Sequence, residues 1–331
     1  MKIAINGMGR IGRAALKLIL DTDGLEIISV NDIIPIENLV YLIKYDTVYG
    51  IYEKEVSHEG HTLIIDGTRI HYTIIKNPEE LPWKENGIDL VIESTGLFTL
   101  REDAEKHIKA GAKTVIISAP TKSEDTPTVV HGVNSAEGKV SIFSCASCTT
   151  NNISPVVEIL DRRIGIKKAI MTTVHAYTAS QSIVDGPSKK NFRMGRAGAA
   201  NLVPTTTGAA IATTKALPRL AGKFDGVAIR TPIPVGSISD LTFVTQIPVT
   251  VEGVNAIFVE EANTDRYAKV LAVTTDPIVS SDIIKNPFAS TVDLSMTRVV
   301  DGDLLKVMTW YDNEWGFTNQ MIRQILQLKE S

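Results

Sequence analysis

Across residues 2 to 120, short runs of β-branched residues alternate with helical patterns: KIAIN, then RAALKLILDT, EIISVN, and later DLVIES, REDAEKHIKAGA and TVIISAP. A repeated strand–helix–strand rhythm predicts βαβ units and a parallel sheet. Residues 50 to 75 read differently. EKEVSHE, HTLIID and RIHYTII alternate over short stretches broken by Glu59-Gly60 and Asp66-Gly67, which predicts small antiparallel hairpins. From about residue 149 the strand-like stretches become long and consecutive, with few helices between them: KKAIMTTVHAY, GVAIRTPI, SDLTFVTQIPV, STVDLSMTRVV and LLKVMTWYD. A mostly antiparallel sheet is expected there. Helices are expected over Thr149 to Arg163, Thr207 to Leu220, Val254 to Asn263 and Thr318 to Lys329. The fold class is therefore α/β in the first half and α+β in the second. No flexible Gly/Ser tract marks the boundary near Cys148, so two closely packed domains are expected.

Length agrees with that division, since 331 residues exceed what one ordinary domain holds. Apolar residues make up 44% and charged residues 22%, the profile of a globular chain and not of a disordered or collagenous one. The 34 basic and 38 acidic residues leave a net charge of -4, so no global positive field exists to hold nucleic acid or an anionic membrane. No apolar run reaches membrane-spanning length, and MKIAINGMGR, which enters a strand pattern at once, does not read as a signal peptide. Two cysteines, Cys145 and Cys148, are too few for a disulfide scaffold. A cytoplasmic protein is expected.

Gly7-Met8-Gly9-Arg10-Ile11-Gly12 fits G-x-G-x-x-G between a strand, Ile3-Ala4-Ile5, and an amphipathic segment, Arg13 to Leu20. Without that context the glycines describe an ordinary turn. With it, the absence of Cβ atoms lets a pyrophosphate approach the backbone at the positive start of a helix, where Arg10 can add a charged donor. The pattern requires an acid some twenty residues on, and Asp32 follows EIISVN at that distance. A carboxylate there accepts bonds from the adenosine ribose hydroxyls and repels a 2'-phosphate, which favours NAD over NADP.

A second constellation is Ser144-Cys145-Ala146-Ser147-Cys148-Thr149-Thr150-Asn151, leading from the apolar run Val140 to Phe143 into a helix whose face carries Ile153, Val157, Leu160 and Ile164. Cys148 falls at the helix N-terminus, where the partial positive charge favours thiolate. Pro155 is read into the tolerant first turn. Cys145 reads as a small buried hydrophobe. With no second C-x-x-C, the pair supplies no zinc site. Among six histidines, His58, His61 and His71 lie in the polar hairpin region, His107 follows a charged helical stretch and His131 sits at a strand edge. His175 ends the apolar strand AIMTTV and faces a small polar loop. Position makes it the candidate base, against the alternative of a structural histidine.

The stretches AINGMGRIGR, ESTGLF, AGAKTVIISAP, ASCTTN, HAYTASQ, VDGPSKK, PTTTGAA and WYDNEWGFTNQ make the chain resemble the phosphorylating glyceraldehyde-3-phosphate dehydrogenases over essentially its whole length. The resemblance implies a Rossmann-like NAD-binding domain over residues 1–148, a catalytic domain over 149–317, a terminal helix (318–331) that returns to the first domain, and a homotetramer. It makes Cys148 the nucleophile and His175 its base, with glyceraldehyde 3-phosphate and inorganic phosphate as substrates and NAD as cofactor. Ser147, Thr149, Thr207 and Gly208 match the attacking-phosphate site, and Thr178 and Arg230 the substrate-phosphate site. Gly7, Gly9, Arg10, Ile11, Gly12, Asp32, Thr95, Gly96, Ser118 and Asn313 match cofactor contacts, Asn313 holding the nicotinamide carboxamide. The chain departs from the family's common pattern at Cys145, Asn152, Ala179, Met194 and Phe317. Asn152 stands where many members carry a second cysteine, which leaves Cys145 as the only other thiol available to resolve an oxidised Cys148. Two other readings compete: a related dehydrogenase that hydrolyses a four-carbon aldose phosphate, and a non-catalytic redox sensor on the same fold.

Overall fold

The computed structural model describes residues 1–135, 140–188 and 191–330; the lysines closing VDGPSKK lie outside the described residues. Contacts divide the chain into two units. The first comprises Met1–Val129, Ser135–Ala146 and Met321–Ser331, and the second Val130–Asn134 and Ser147–Gln320.

The first unit carries strands β1 (Lys2–Asn6), β2 (Glu26–Asn31), β3 (Val56–Glu59), β4 (Thr62–Ile65), β5 (Thr68–Thr73), β6 (Leu90–Glu93), β7 (Thr114–Ile117) and β8 (Ile142–Ser144) in one sheet, ordered β8-β7-β6-β1-β2-β5-β4-β3. Helices α1 (Arg10–Leu20), α2 (Ile36–Lys44) and α3 (Arg101–Lys109) separate them in sequence. The six strands from β8 to β5 pair in parallel, and β3, β4 and β5 form an antiparallel meander. Asp66 and Gly67 both take positive φ, 43° and 78°, the backbone that a two-residue turn between right-twisted strands requires. In β1, Ile3, Ala4 and Ile5 are fully buried, which explains an unbroken apolar run in place of alternation. Strand order reverses between β1 and β6, so their carboxyl ends form the crevice in which open α/β sheets bind ligands.

A buried polar chain underlies that crevice. Glu93, at the end of β6, accepts from Asn6 Nδ2 at 2.6 Å, from Thr95 N at 2.8 Å and from the Thr95 hydroxyl at 2.5 Å. His107 Nε2 lies 3.1 Å from Glu93 Oε2, the oxygen that also accepts from Asn6, and Trp83 Nε1 donates to His107 Nδ1 at 3.0 Å. An indole N–H can only donate, so His107 must carry its ring proton on Nε2 and give it to Glu93. Asn6 Oδ1 in turn accepts from Asn31, whose Oδ1 accepts from Thr73 and from Ile75 N.

In the second unit, β9 (Ile166–Ala176), β10 (Val203–Thr206), β11 (Phe224–Thr231), β12 (Ser237–Thr245), β13 (Leu271–Thr274), β14 (Ser290–Asp293), β15 (Arg298–Val300) and β16 (Leu304–Tyr311) form a sheet ordered β10-β11-β9-β12-β16-β14-β13, with β15 on β16. It is mostly antiparallel, but β9 pairs in parallel with β11, and β13 with β14. Helices α4 (Cys148–Arg163), α5 (Ala209–Ala216), α6 (Val251–Ala262) and α7 (Trp315–Glu330), the last with its residues from Met321 on in the first unit, follow the expected positions with shifted ends. The segment expected as one helix over 207–220 breaks after α5, because Pro218 excludes the helical conformation at Leu217 and a 3-10 turn, Pro218–Leu220, follows. α6 starts earlier because the Thr250 hydroxyl caps Gly253 N at 3.1 Å. α7 starts earlier because Asp312 Oδ1 accepts from Glu314 N and Trp315 N. Pro155 is not in the first turn but is the eighth residue of α4, so the helix forgoes one backbone bond there.

Replacing His107, fully buried, by Ala strands the Trp83 indole N–H and one acceptor site of Glu93 and opens a void. Urea unfolding of His107→Ala should show a loss of about 2–4 kcal/mol; a loss below about 0.5 kcal/mol would show that the network contributes nothing.

Candidate active site

In the first unit, the glycine turn is built as its spacing requires. Gly7 has φ 96°, and a Cβ there would stand 2.6 Å from Thr95 N; at Gly12 a Cβ would stand 2.0 Å from Gly7 O. Nothing occupies the space above Gly9, which caps α1, so an anion can reach the first free N–H groups of the helix. Asp32 is oriented by two backbone donors, Met8 N and Ile33 N, each at 2.6 Å. A cavity of about 400 Å³ at the carboxyl ends of β1 and β6 is lined by Gly7, Gly9, Asp32 and Thr95 together with Ile33, Leu97 and Phe98. Polar floor and apolar walls fit a dinucleotide. Arg10, Ile11 and Gly12 lie in the first turn of α1, with Arg10 Nη1 held by Asp46 at 2.6 Å. Gly96 (φ 73°) continues the Thr95 turn, and Ser118 N donates to Glu93 O; these five do not line the cavity. The sequence reading missed Ile33, Leu97 and Phe98; their signal was apolar residues at strand ends, two of them, Ile33 and Leu97, largely exposed.

In the second unit, Cys148 is the first residue of α4 and Ser147 its cap, Ser147 Oγ accepting from Thr150 N at 3.0 Å. Ala146, just before, takes φ 61°, a costly conformation for a residue with a Cβ and one that clusters at functional sites. Cys148 Sγ lies 3.3 Å from His175 Nε2. His175 ends β9 beside Arg230 on β11, the two being direct partners in the parallel ladder. Arg230 Nη1 lies 2.6 Å from His175 Nδ1 and 3.1 Å from Ala176 O. Burial first, and the Arg230 charge second, push the His175 imidazole down to about 3, so the ring is neutral near pH 7.

The helix start does not by itself lower the Cys148 thiol as expected. Burial pushes the thiol up, and the Arg230 charge with the Thr149 and Cys148 donors recovers only part of that rise. The reason is that dehydration of an anion outweighs a half-charge at a helix end. The 3.3 Å contact places His175 where it can take the thiol proton. Cys145 is buried, and burial pushes its thiol far above the ordinary range, which makes it a poor resolving thiol. Asn152 is fully buried and donates toward Ala289 O, Ser290 Oγ, Thr309 Oγ1 and Trp310 O; it ties α4 to the sheet.

Thr207 precedes α5, its hydroxyl accepting from Ala209 N at 3.2 Å, and Gly208 caps that helix. Thr178 Oγ1 pairs with Ser180 Oγ at 2.9 Å. The Thr149 hydroxyl is turned inward to Tyr311 OH at 3.0 Å, so Thr149 offers an anion its backbone more readily than its side chain. Asn313 Oδ1 accepts from Gly236 N and Ser237 Oγ, which leaves its amide donors for a ligand. Met194 sits in the 3-10 turn Phe192–Gly195, and the neighbouring Arg196 is paired with Asp185 at 2.9 Å. Tyr311, which the sequence reading passed over inside WYDNEWGF, bonds Thr149 and Thr173 and meets the His175 ring edge-on at 5.9 Å.

Comparison with known proteins identifies the family of both units. Residues 1–101 match the glyceraldehyde 3-phosphate dehydrogenase NAD binding domain, and residues 147–313 the C-terminal domain of the same family. The glyceraldehyde-3-phosphate dehydrogenase of Streptomyces coelicolor is 47% identical over 97% of this chain and 96% of its own. That of Zymomonas mobilis is 44% identical over 100% and 99%, and that of Geobacillus stearothermophilus 44% over 97% and 96%.

A histidine that titrates near 6.5 when unfolded and about 3 when folded makes the unfolded chain bind a proton first. Stability is therefore lost as pH falls through the interval between those values, by about 3 kcal/mol at pH 4 relative to pH 8. His175→Asn should lose that much less than the parent in urea unfolding across this range; equal losses would show that His175 is not held neutral by burial.

Proposed function

The chain belongs to the glyceraldehyde-3-phosphate dehydrogenase family, and from that premise we propose that Cys148 and His175 carry out the NAD-dependent oxidation of D-glyceraldehyde 3-phosphate to 1,3-bisphosphoglycerate. The observation that carries this reading is the 3.3 Å contact between Cys148 Sγ and His175 Nε2 at the start of α4. As sulfur attacks the aldehyde carbon, His175 takes the thiol proton and returns it to the oxygen, giving a hemithioacetal on Cys148. His175 then holds the hydroxyl proton as the carbon is oxidised to a thioester. Bound NAD supplies the hydride acceptor for that oxidation. An oxygen of inorganic phosphate next attacks the thioester carbon, the C–S bond breaks, and Cys148 recovers its proton from His175 as the acyl phosphate leaves.

Gly7, Gly9, Arg10, Ile11, Gly12, Asp32, Thr95, Gly96, Ser118 and Asn313 are the residues proposed to hold NAD. Two anion subsites complete the reading. Ser147, Thr149, Thr207 and Gly208 offer hydroxyls and helix-start N–H groups to the attacking phosphate, while Thr178 and Arg230 receive the phosphate of the substrate. Arg230 Nε is buried without a partner, which suits a guanidinium awaiting an anion. Among the described residues, no helix is long and apolar enough to cross a membrane. The proposed location is the cytoplasm, and the proposed assembly a homotetramer. The second unit's sheet leaves Ile170 61% and Val227 49% exposed on neighbouring strands, an apolar surface that a second copy can cover.

Cys148→Ser should lower turnover, followed as NADH formation, by at least about three orders of magnitude with folding intact, because a serine hydroxyl is far less acidic than a thiol. Omitting phosphate from the parent enzyme should abolish sustained turnover. Undiminished turnover without phosphate would favour a hydrolytic aldose-phosphate dehydrogenase, and near-parental activity of the variant would remove Cys148 from the reaction.

A further inference from the structure

The carboxyl ends of four neighbouring strands carry polar residues in register: Glu93 on β6, Asn6 on β1, Asn31 on β2 and Thr73 on β5. All four are buried, so their polar atoms must find partners within the protein. They find them in one another. Glu93 Oε2 accepts from Asn6 Nδ2, Asn6 Oδ1 accepts from Asn31 Nδ2, and Asn31 Oδ1 accepts from the Thr73 hydroxyl. The second carboxylate oxygen serves the loop that leaves β6. Glu93 Oε1 accepts from Thr95 N at 2.8 Å and from the Thr95 hydroxyl, which itself accepts from Leu97 N at 3.0 Å. His107 completes the set with its Nε2–H. One carboxylate thus ties β1, and through it β2 and β5, to the turn from Thr95 to Leu97.

Asn6, Asn31, Ser94, Thr95 and Leu97 line the cavity above this row, whereas Glu93 does not. The Thr95 turn also packs on the glycine turn without slack: a Cβ on Gly7 would stand 2.6 Å from Thr95 N, and Ser94 Oγ donates to Gly7 O at 2.7 Å. A displacement of Thr95 is therefore passed directly to Gly7. We propose that Glu93 is a positioning residue for the cofactor, its carboxylate fixing the glycine turn and the Thr95 turn in the arrangement that receives the dinucleotide, with His107 holding the carboxylate from behind. A site shaped in advance spares the ligand the cost of ordering it. The charge type matters as much as the shape. Every neighbour of the carboxylate is a donor, so the amide of an isosteric glutamine would set its own N–H groups against donors whichever way it turned. The inference rests on the cofactor reading proposed above and adds a residue that acts on the cofactor only through others.

The test is calorimetric titration of the full-length protein with NAD, for the parent, Glu93→Gln, His107→Leu and His107→Gln, each checked for folding by circular dichroism. Glu93→Gln should raise the Kd for NAD at least about tenfold, the effect of a lost charge-assisted hydrogen bond. In turnover the loss should fall on the KM for NAD, with kcat at saturating NAD and the KM for glyceraldehyde 3-phosphate within about twofold of the parent. A merely structural defect lowers the active fraction, and with it kcat, while leaving the affinity of the folded molecules alone. His107→Leu keeps bulk without a donor and should weaken NAD severalfold, and His107→Gln, which keeps an N–H for Glu93, should restore it. A folded Glu93→Gln that binds NAD as tightly as the parent, or that loses kcat with NAD affinity intact, would overturn the proposal. Should Glu93→Gln not fold, the histidine pair decides: loss in His107→Leu with recovery in His107→Gln supports the proposal, and equal affinity in the two overturns it. A parent that fails to bind NAD would instead refute the underlying cofactor reading, so the two failures are distinguishable.

Discussion

The proposed chemistry depends on keeping a thiol and an imidazole in contact where water does not reach them freely. Three elements hold that contact: the start of α4, which fixes Cys148; the end of β9, which fixes His175; and β11, which sets Arg230 beside His175. Tyr311 braces the arrangement from behind through Thr149 and Thr173. Burial raises the energy of both charged partners, thiolate and imidazolium, and the Arg230 charge acts on both.

The first unit solves a related problem with opposite means. A turn without Cβ atoms lets backbone donors face an anion, and Asp32, held by two backbone N–H groups, presents a fixed negative group beyond it. Underneath, Glu93 is surrounded by donors from Asn6, Thr95 and His107, the last fixed in its tautomer by Trp83. The His107 ring proton is thus assigned by Trp83, an indole that can only donate and that is buried in the core.

Much of this was legible in the sequence, for physical reasons. The βαβ rhythm carried the parallel sheet, the Asp66-Gly67 pair its hairpin, and the end of the apolar strand AIMTTV placed His175 at a strand end. Glycine spacing carries the cofactor turn because it states a steric requirement that few residues can meet. What was not legible depends on contacts between distant segments. The parallel register that sets Arg230 on His175, the Tyr311 brace and the burial that lifts the Cys148 thiol all arise from packing, which helix-end reasoning on a local segment omits. Pro155 is a plain correction: it stands eighth in α4, and a helix starting at the expected Thr149 also leaves it beyond the first turn.

The central claim is that an acyl group rides on Cys148. Enzyme mixed with glyceraldehyde 3-phosphate and NAD without phosphate, quenched in acid within the first turnover and digested, should yield the peptide spanning residue 148 with the mass of the substrate acyl group attached, and the adduct should vanish when phosphate is added before the quench. Turnover that proceeds in phosphate while no such adduct forms on Cys148 would contradict the account.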